Sequence, residues 1–478
     1  MPQEPAPSAL PSAAIDASAW SSAQDGVVEF LRDLIRIPSI NPPDPPGAEL
    51  AAAVRIADEL GLAGLAPEVV EAVPGRGSVV ARLRGDGTGG EPLLLLSHLD
   101  VVPAIAEDWT HPPFAGDLAD GYVWGRGAVD MKAMVALEVG VLRLLAGRAR
   151  AAGLDPAVDP VPGLRRDLLF ACTADEEAGG WNGAGWLVDN RPETIRASGA
   201  LNEAGGIPIE IGGRRFYAIG VAEKGFEVYR IRVRGTWGHG SMPRDDNALV
   251  LAAEVVTRIA VKGEPRPTPV LRRLLAEVAA ALEPDQARLM DAILDDDPRR
   301  SEAAIRAACD PVYALALSAL LRDTFSPTIM HAGIKYNVIP GEAVIEVDVR
   351  KLPGTTEGDV REELLARIGD LAPRCEIEHV IGAVPVEAPA EGALYEAMVA
   401  AIRAHDPDGI PVPVIAPFAT DAKHTARLGV PTYGFSPLRL GPGERFLDRF
   451  HAVDERVGVD ALRWGLPVLY DVVAGYCG

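Results

Sequence analysis

This sequence predicts an α/β fold: a doubly wound, mostly parallel sheet into which a ferredoxin-like α+β unit is inserted. Three observations predict it. The short apolar runs PLLLLSHLD (92–100), DLLFACTADEE (167–177) and GALNE (199–203) each stop at a polar residue, the form of strands buried on both faces. Helical patterns alternate with those runs, as crossover connections require. Near Val221 the texture changes, and EKGFEVYRIRVRG (223–235) alternates polar and apolar like a strand with one face in water. A chain of 478 residues also exceeds one ordinary core, so two domains are expected.

Taken in order, MPQEPAPSALPSAAIDASAW lacks both a basic start and an apolar core, so an unstructured leader over 1–24 is expected rather than a secretory signal. DGVVEFLRDLIRIPSI (25–40) has apolar residues three and four apart, a helix from Gly26 ending near Pro38, and NPPDPPG (41–47) reads as a rigid loop. A helix over 48–60, strands over 68–84 and 92–97, the turn GRG and a long helix over 131–149 follow. Then come the strand at 223–235, a helix at 247–260, a strand near 328–336, a strand at 343–351, a helix at 360–371 and a strand at 375–382. That order, β-α-β-β-α-β, is ferredoxin-like. Pro-rich, helical sequence over 264–323 interrupts it. The expected boundaries are therefore 25–220 and 384–478 for the main domain and 221–383 for the inserted one.

Charge narrows the function classes. Lys plus Arg is 46 against 68 Asp plus Glu, a formal charge of −22, which disfavours nucleic acid and anionic membrane as partners. No run of about 18 apolar residues suggests a membrane span. The cysteines 172, 309, 375 and 477 are scattered without a CxxC pair, which fits a reducing, cytoplasmic interior.

Five residues stand out at the ends of apolar runs: His98, Asp130, Glu177, Glu203 and His451. Two imidazoles and three carboxylates suit borderline divalent ions such as Zn²⁺, and a carboxylate can bridge a pair of them. His98 and Asp100 lie two apart in extended chain, so Asp100 can share a side with the imidazole and fix its tautomer. Asp130, where GRG meets a helix, has capping as its alternative. The adjacent side chains of Glu176 and Glu177 diverge, so one can bind metal while the other stays free as a base.

The motifs SHLDVVPA, GRGAVDMK, TADEEAGG, NEAGG, GHGSMP, NVIPGEA, TDAKH and FHAVDE run in order from residue 97 to 455. Together they resemble the M20 family of metallopeptidases, most of all its carboxypeptidase S and N-acyl-amino-acid hydrolase branch. The resemblance implies two Zn²⁺ per subunit, with Co²⁺ or Mn²⁺ as substitutes. His98 and Glu203 would hold one ion, Glu177 and His451 the other, and Asp130 both, with a cis peptide at Asp130–Met131. Glu176 is implied as general base, and Asp100 as the partner of His98. The inserted domain becomes a lid and dimerisation domain, from which His239 serves the partner's oxyanion. Arg350 and Asn337 would hold the substrate carboxylate, with Gly434 shaping the pocket. The implied substrate is an N-acyl amino acid or a short peptide with a free carboxylate. A dipeptidase or aminopeptidase on the same metal core, and a silent binding homologue, are the alternatives. Lys423 departs from the family's usual Arg, and the planar fork is lost with it.

Overall fold

The computed structural model describes residues 10, 12, 15–41, 48–441 and 444–478. Residues 1–9, 11, 13 and 14 of the expected leader, and 42–47 of the expected loop, lie outside them. Two compact units divide the chain: Met1–Val221, Ala388–Pro413 and Thr420–Gly478 form one, Ala222–Glu387 and Val414–Ala419 the other.

In the first unit the strands Glu68–Glu71, Gly77–Leu83, Leu168–Thr173, Leu93–His98, Gly199–Asn202, Thr432–Gly434 and Arg214–Glu223 lie side by side in that order. The middle four are parallel, with Leu93 opposite Leu168 and His98 opposite Thr173. Antiparallel strands flank them. Leu93–Leu96 are wholly buried because helices cover both faces. Leu94, Leu96, Leu169 and Ala171 pack with Ala184, Leu187 and Val188 of the helix Ala184–Asn190. The helices Lys132–Ala151 and Val459–Cys477 pack against the same strand, Leu93–His98. The sheet is thus doubly wound around a parallel centre, and its carboxyl edge carries His98, Thr173 and Asn202.

The first helix departs from expectation. It spans Ala17–Ile35, so residues 17–24 are helical rather than part of an unstructured leader. Composition alone hid the cap: the Asp16 carboxylate accepts from Ala19 N at 2.9 Å. Trp20 stacks edge-on against Tyr470 at 5.5 Å between ring centres, which ties this turn to the C-terminal helix.

The second unit holds an antiparallel sheet in the order Thr324–Ala332, Glu342–Lys351, Gly225–Arg234, Cys375–Ala383. The helices Ala248–Ile259 and Glu357–Ile368 bury Val255, Ile259, Val360 and Leu364 against Tyr229, Ile231, Ile345 and Val347. This is the ferredoxin-like order. The strand expected near 328–336 begins earlier, at Thr324. Residues 264–323 supply four helices, Pro269–Ala281, Pro284–Ala292, Pro298–Ala308 and Pro311–Leu320. Each opens on a proline in its first turn, where the missing N–H costs nothing. Among the described residues no helix is long and apolar enough to cross a membrane.

Candidate metal centre

Four chain segments meet at the carboxyl edge of the parallel strands, as ligand sites on open α/β sheets do. His98 ends one strand, Glu176 and Glu177 follow Thr173, Glu203 follows Asn202, and Asp130 precedes the helix Lys132–Ala151. His451 arrives from far downstream. His98 Nε2 lies 3.1 Å from Asp130 Oδ1 and 3.7 Å from Glu203 Oε1. His451 Nε2 lies 3.2 Å from Asp130 Oδ2 and 3.1 Å from Glu177 Oε2. Asp130 therefore turns one oxygen to each imidazole. Ligand atoms of His98, Asp130 and Glu177 fall within 4.8 Å of one another, as do those of His98, Glu176 and Glu203.

The charges in this nest are unbalanced. Burial, with Asp130 alongside, pushes Glu177 up to about 7, and burial and Asp130 likewise hold Glu203 well above the carboxylate range. Asp130 stays below that range despite burial, because both imidazoles bond to it. His451 is raised to about 10 by Asp130 and Glu177. Burial opposes the charge on His98, yet Glu203, Asp100 and Asp130 raise it far above the usual value. Crowded carboxylates of this kind are relieved by cations, and the donor types and spacing fit two divalent ions sharing Asp130.

Backbone conformation is unusual at the same places. The Asp130–Met131 peptide is cis, as the resemblance implies. Asp175, Ala204 and His451 have φ of 72°, 68° and 57°, the left-handed region that non-glycine residues rarely adopt. Asp175 and Ala204 adjoin the candidate residues Glu176 and Glu203, and His451 is itself a candidate ligand; Asp120 and Asp454 are the other two such residues among those described.

Two supports differ from the sequence reading. His98 Nδ1 lies 3.0 Å from the backbone carbonyl of Asp100 and 3.5 Å from its carboxylate, so the carbonyl is the nearer partner. The Asp100 carboxylate turns instead to Glu176 N and Glu177 N, at 3.1 and 3.0 Å. Glu455 was not singled out by sequence. Fully buried, it accepts from Val129 N at 2.7 Å, Asp130 N at 3.0 Å, Gly127 N at 3.0 Å and Arg126 Nη1 at 2.7 Å. Its signal was the acid four residues after His451, but periodicity does not reveal a carboxylate that serves backbone amides.

The TDAKH segment lies behind the Glu176 turn. Lys423 Nζ donates to Thr420 O at 2.9 Å and lies 3.5 Å from Glu176 Oε1. His424 Nε2 donates to Gly179 O at 2.8 Å. Thr173 Oγ1 donates to Asp421 at 2.7 Å, and burial lifts that carboxyl to about 7. Gly434 is buried on its strand, and a side chain there would meet Glu203 O at 2.7 Å.

His239, Asn337 and Arg350 belong to the second unit. The pair Gly238–His239 ladders with Val338–Ile339, and Gly240 N donates to Asn337 O at 2.8 Å, so His239 and Asn337 are neighbours. His239 is exposed, with Nδ1 2.8 Å from Ser241 Oγ. Arg350 grips Asp348 through Nε at 2.8 Å and Nη2 at 3.0 Å. It lies near the far end of the strand Glu342–Lys351, roughly 26 Å along from Glu342 at the rise of an antiparallel strand.

Comparison with known proteins bears on the same core. Residues 94–475 match the model of peptidase family M20/M25/M40. A probable carboxypeptidase S-like 2 of Dictyostelium discoideum is 30% identical over 407 residues, covering 80% of this chain and 71% of that protein. Human N-fatty-acyl-amino acid synthase/hydrolase PM20D1 is 27% identical, covering 82% of this chain and 75% of its own. Among solved structures, the M20 family metallo-carboxypeptidase Sso-CP2 from Sulfolobus solfataricus superposes with a TM-score of 0.69 at 17% identity, covering 94% of this chain and 99% of that one. With a family match running from the strand of His98 past His451, the chain belongs to peptidase family M20/M25/M40, a family of hydrolases acting on amide bonds.

Proposed function

We propose that the protein is a di-metal amidohydrolase that releases an amino acid from N-acyl amino acids or short peptides bearing a free carboxylate. The carrying observation is Asp130, with one oxygen 3.1 Å from His98 and the other 3.2 Å from His451. His98, Glu203 and Asp130 would hold one ion, and His451, Glu177 and Asp130 the other. Zinc is our reading, with cobalt or manganese accepted by the same donors. Bound there, divalent cations polarise the scissile carbonyl and acidify water. Glu176 takes the proton of the attacking water and returns it to the leaving nitrogen. The Lys423 ammonium lies 3.5 Å from that carboxylate.

His239 from a second subunit donates to the oxyanion, and Arg350 and Asn337 bind the carboxylate, in a homodimer formed through the lid. The pairing of Gly238–His239 with Val338–Ile339, which puts His239 and Asn337 side by side, supports their acting together. The exposed edge strand Thr324–Ala332, with Ile329 and Met330 in solvent, followed by exposed Ile334 and Tyr336 in the turn after it, supports the dimer. Free, scattered cysteines support a cytoplasmic setting.

The test is hydrolysis of N-acetyl and long-chain N-acyl amino acids beside unblocked dipeptides, before and after chelation. We expect free amino acid from the acylated set, lost with EDTA and restored by Zn²⁺ or Co²⁺. Turnover of dipeptides alone would assign the aminopeptidase-type reading, and no turnover of any amide by metal-restored protein would overturn the proposal.

A further inference from the structure

We propose that Asn41 and Arg76 are positioning residues for the Glu176–Glu177 pair, acting through Asp100. Only the catalytic consequence rests on the hydrolase reading; the positioning itself does not.

Five buried polar side chains, Asn41, Glu49, Arg76, Asp100 and Asp175, form one connected group behind the metal centre. Asn41 is fixed by its backbone. Residues 39–41 run beside 99–101, with Val101 N donating to Ser39 O at 3.0 Å and Asn41 N to Val101 O at 2.9 Å. Ser39 Oγ adds a bond to Leu99 O at 2.6 Å. Arg76 then decides which way the Asn41 amide faces. Its Nη2 donates to Asn41 Oδ1 at 2.9 Å, which leaves Asn41 Nδ2 to donate to Asp100 Oδ2 at 2.7 Å. Arg76 is itself anchored by the buried Glu49 carboxylate.

Asp100 passes this order forward. Its two oxygens accept the backbone N–H of Glu176 and Glu177. Arg76 reaches the same turn from its other side, 3.5 Å from Asp175 Oδ1, while Asp175 Oδ2 accepts from Asn182 N at 2.8 Å. The turn that carries base and ligand is thus gripped at three successive residues, and the grip ends on a segment remote in sequence. Without Asn41 Nδ2 the Asp100 carboxylate loses the donor that fixes its orientation, and its bonds to the Glu176 and Glu177 amides weaken as it turns. Loss of Asn41 would therefore displace Glu176 and Glu177 without touching them.

The experiment compares Asn41→Leu with wild type by hydrogen exchange and by steady-state kinetics well below the melting temperature. We expect exchange at the amides of Glu176 and Glu177 to accelerate about tenfold or more, the loss a hydrogen bond to a charged group implies, with the strand Leu93–His98 unaffected. We also expect kcat to fall by a similar factor while KM stays within about twofold, since the reacting groups rather than uniform binding are disturbed. Should Asn41→Leu not fold, Asn41→Ser removes the same donor, and the same readouts decide. Unchanged exchange at those two amides, or acceleration spread evenly over the sheet, overturns the proposal. Wild-type protein that cleaves no amide would overturn the functional reading alone, because the exchange result stands apart from turnover.

Discussion

Glu176 and Glu177 are adjacent in sequence yet face different partners. Glu177 meets His451 at 3.1 Å, and Glu176 faces Lys423 at 3.5 Å. Glu176→Gln should keep both metals by elemental analysis while kcat drops about 10²–10⁴-fold, the usual contribution of a positioned base; normal turnover with metal retained would refute the role. Glu138 makes a second prediction. It is fully buried, accepts from Ser97 Oγ at 2.6 Å, and burial raises it from 4.5 to about 8. The folded state thus keeps a proton that the unfolded chain releases above its ordinary value. Stability from this group is complete below about 4.5 and declines as pH rises from there to about 8, by at most about 1.4 kcal/mol per pH unit. Urea midpoints at pH 5 and pH 8 should differ less for Glu138→Gln than for wild type. Of the residues involved, the five candidate ligands could be singled out because each ends an apolar run, and the structure brings them together. Glu138 and Glu455 were not, since a buried carboxylate inside a helix or loop leaves no trace in hydrophobic periodicity.

Whole elements were easier to read where burial was uniform. Leu93–His98 and Leu168–Thr173 are continuous apolar runs because both faces are covered, and their register aligns His98 with Thr173. The edge strand Thr324–Ala332 was misplaced by about four residues. Pro327 sits at a bulge on this edge strand, where a missing N–H is tolerated, so the strand runs through the proline to Thr324. The four proline-headed helices could be recognised as helical but not placed, because their packing depends on neighbours the pattern does not name. Glu455 offers the prediction at this scale. Glu455→Ala strips three amides and Arg126 of their acceptor, and breaking a buried pair typically costs about 3–5 kcal/mol. We expect a lower melting temperature together with reduced metal content; full metal occupancy would show that the turn holds Asp130 unaided.

For the whole molecule, the sequence already contained the insertion. Its return point was visible only as a change of texture, whereas the compact units divide at Val221 and Ala388. The role of the second unit makes the last prediction. His239→Ala and Glu176→Gln homodimers should each be nearly inactive. Mixed dimers should regain roughly a quarter of wild-type activity, because half the dimers then hold one complete site of two. No recovery after verified subunit exchange would place His239 in service of its own chain.

His98 and His451 are separated by most of the polypeptide, yet share one carboxylate. Contacts so distant in sequence form late, after their loop-closure entropy has been met. During synthesis the Asp130 carboxylate therefore gains its second imidazole only after the segment carrying His451 has left the ribosome.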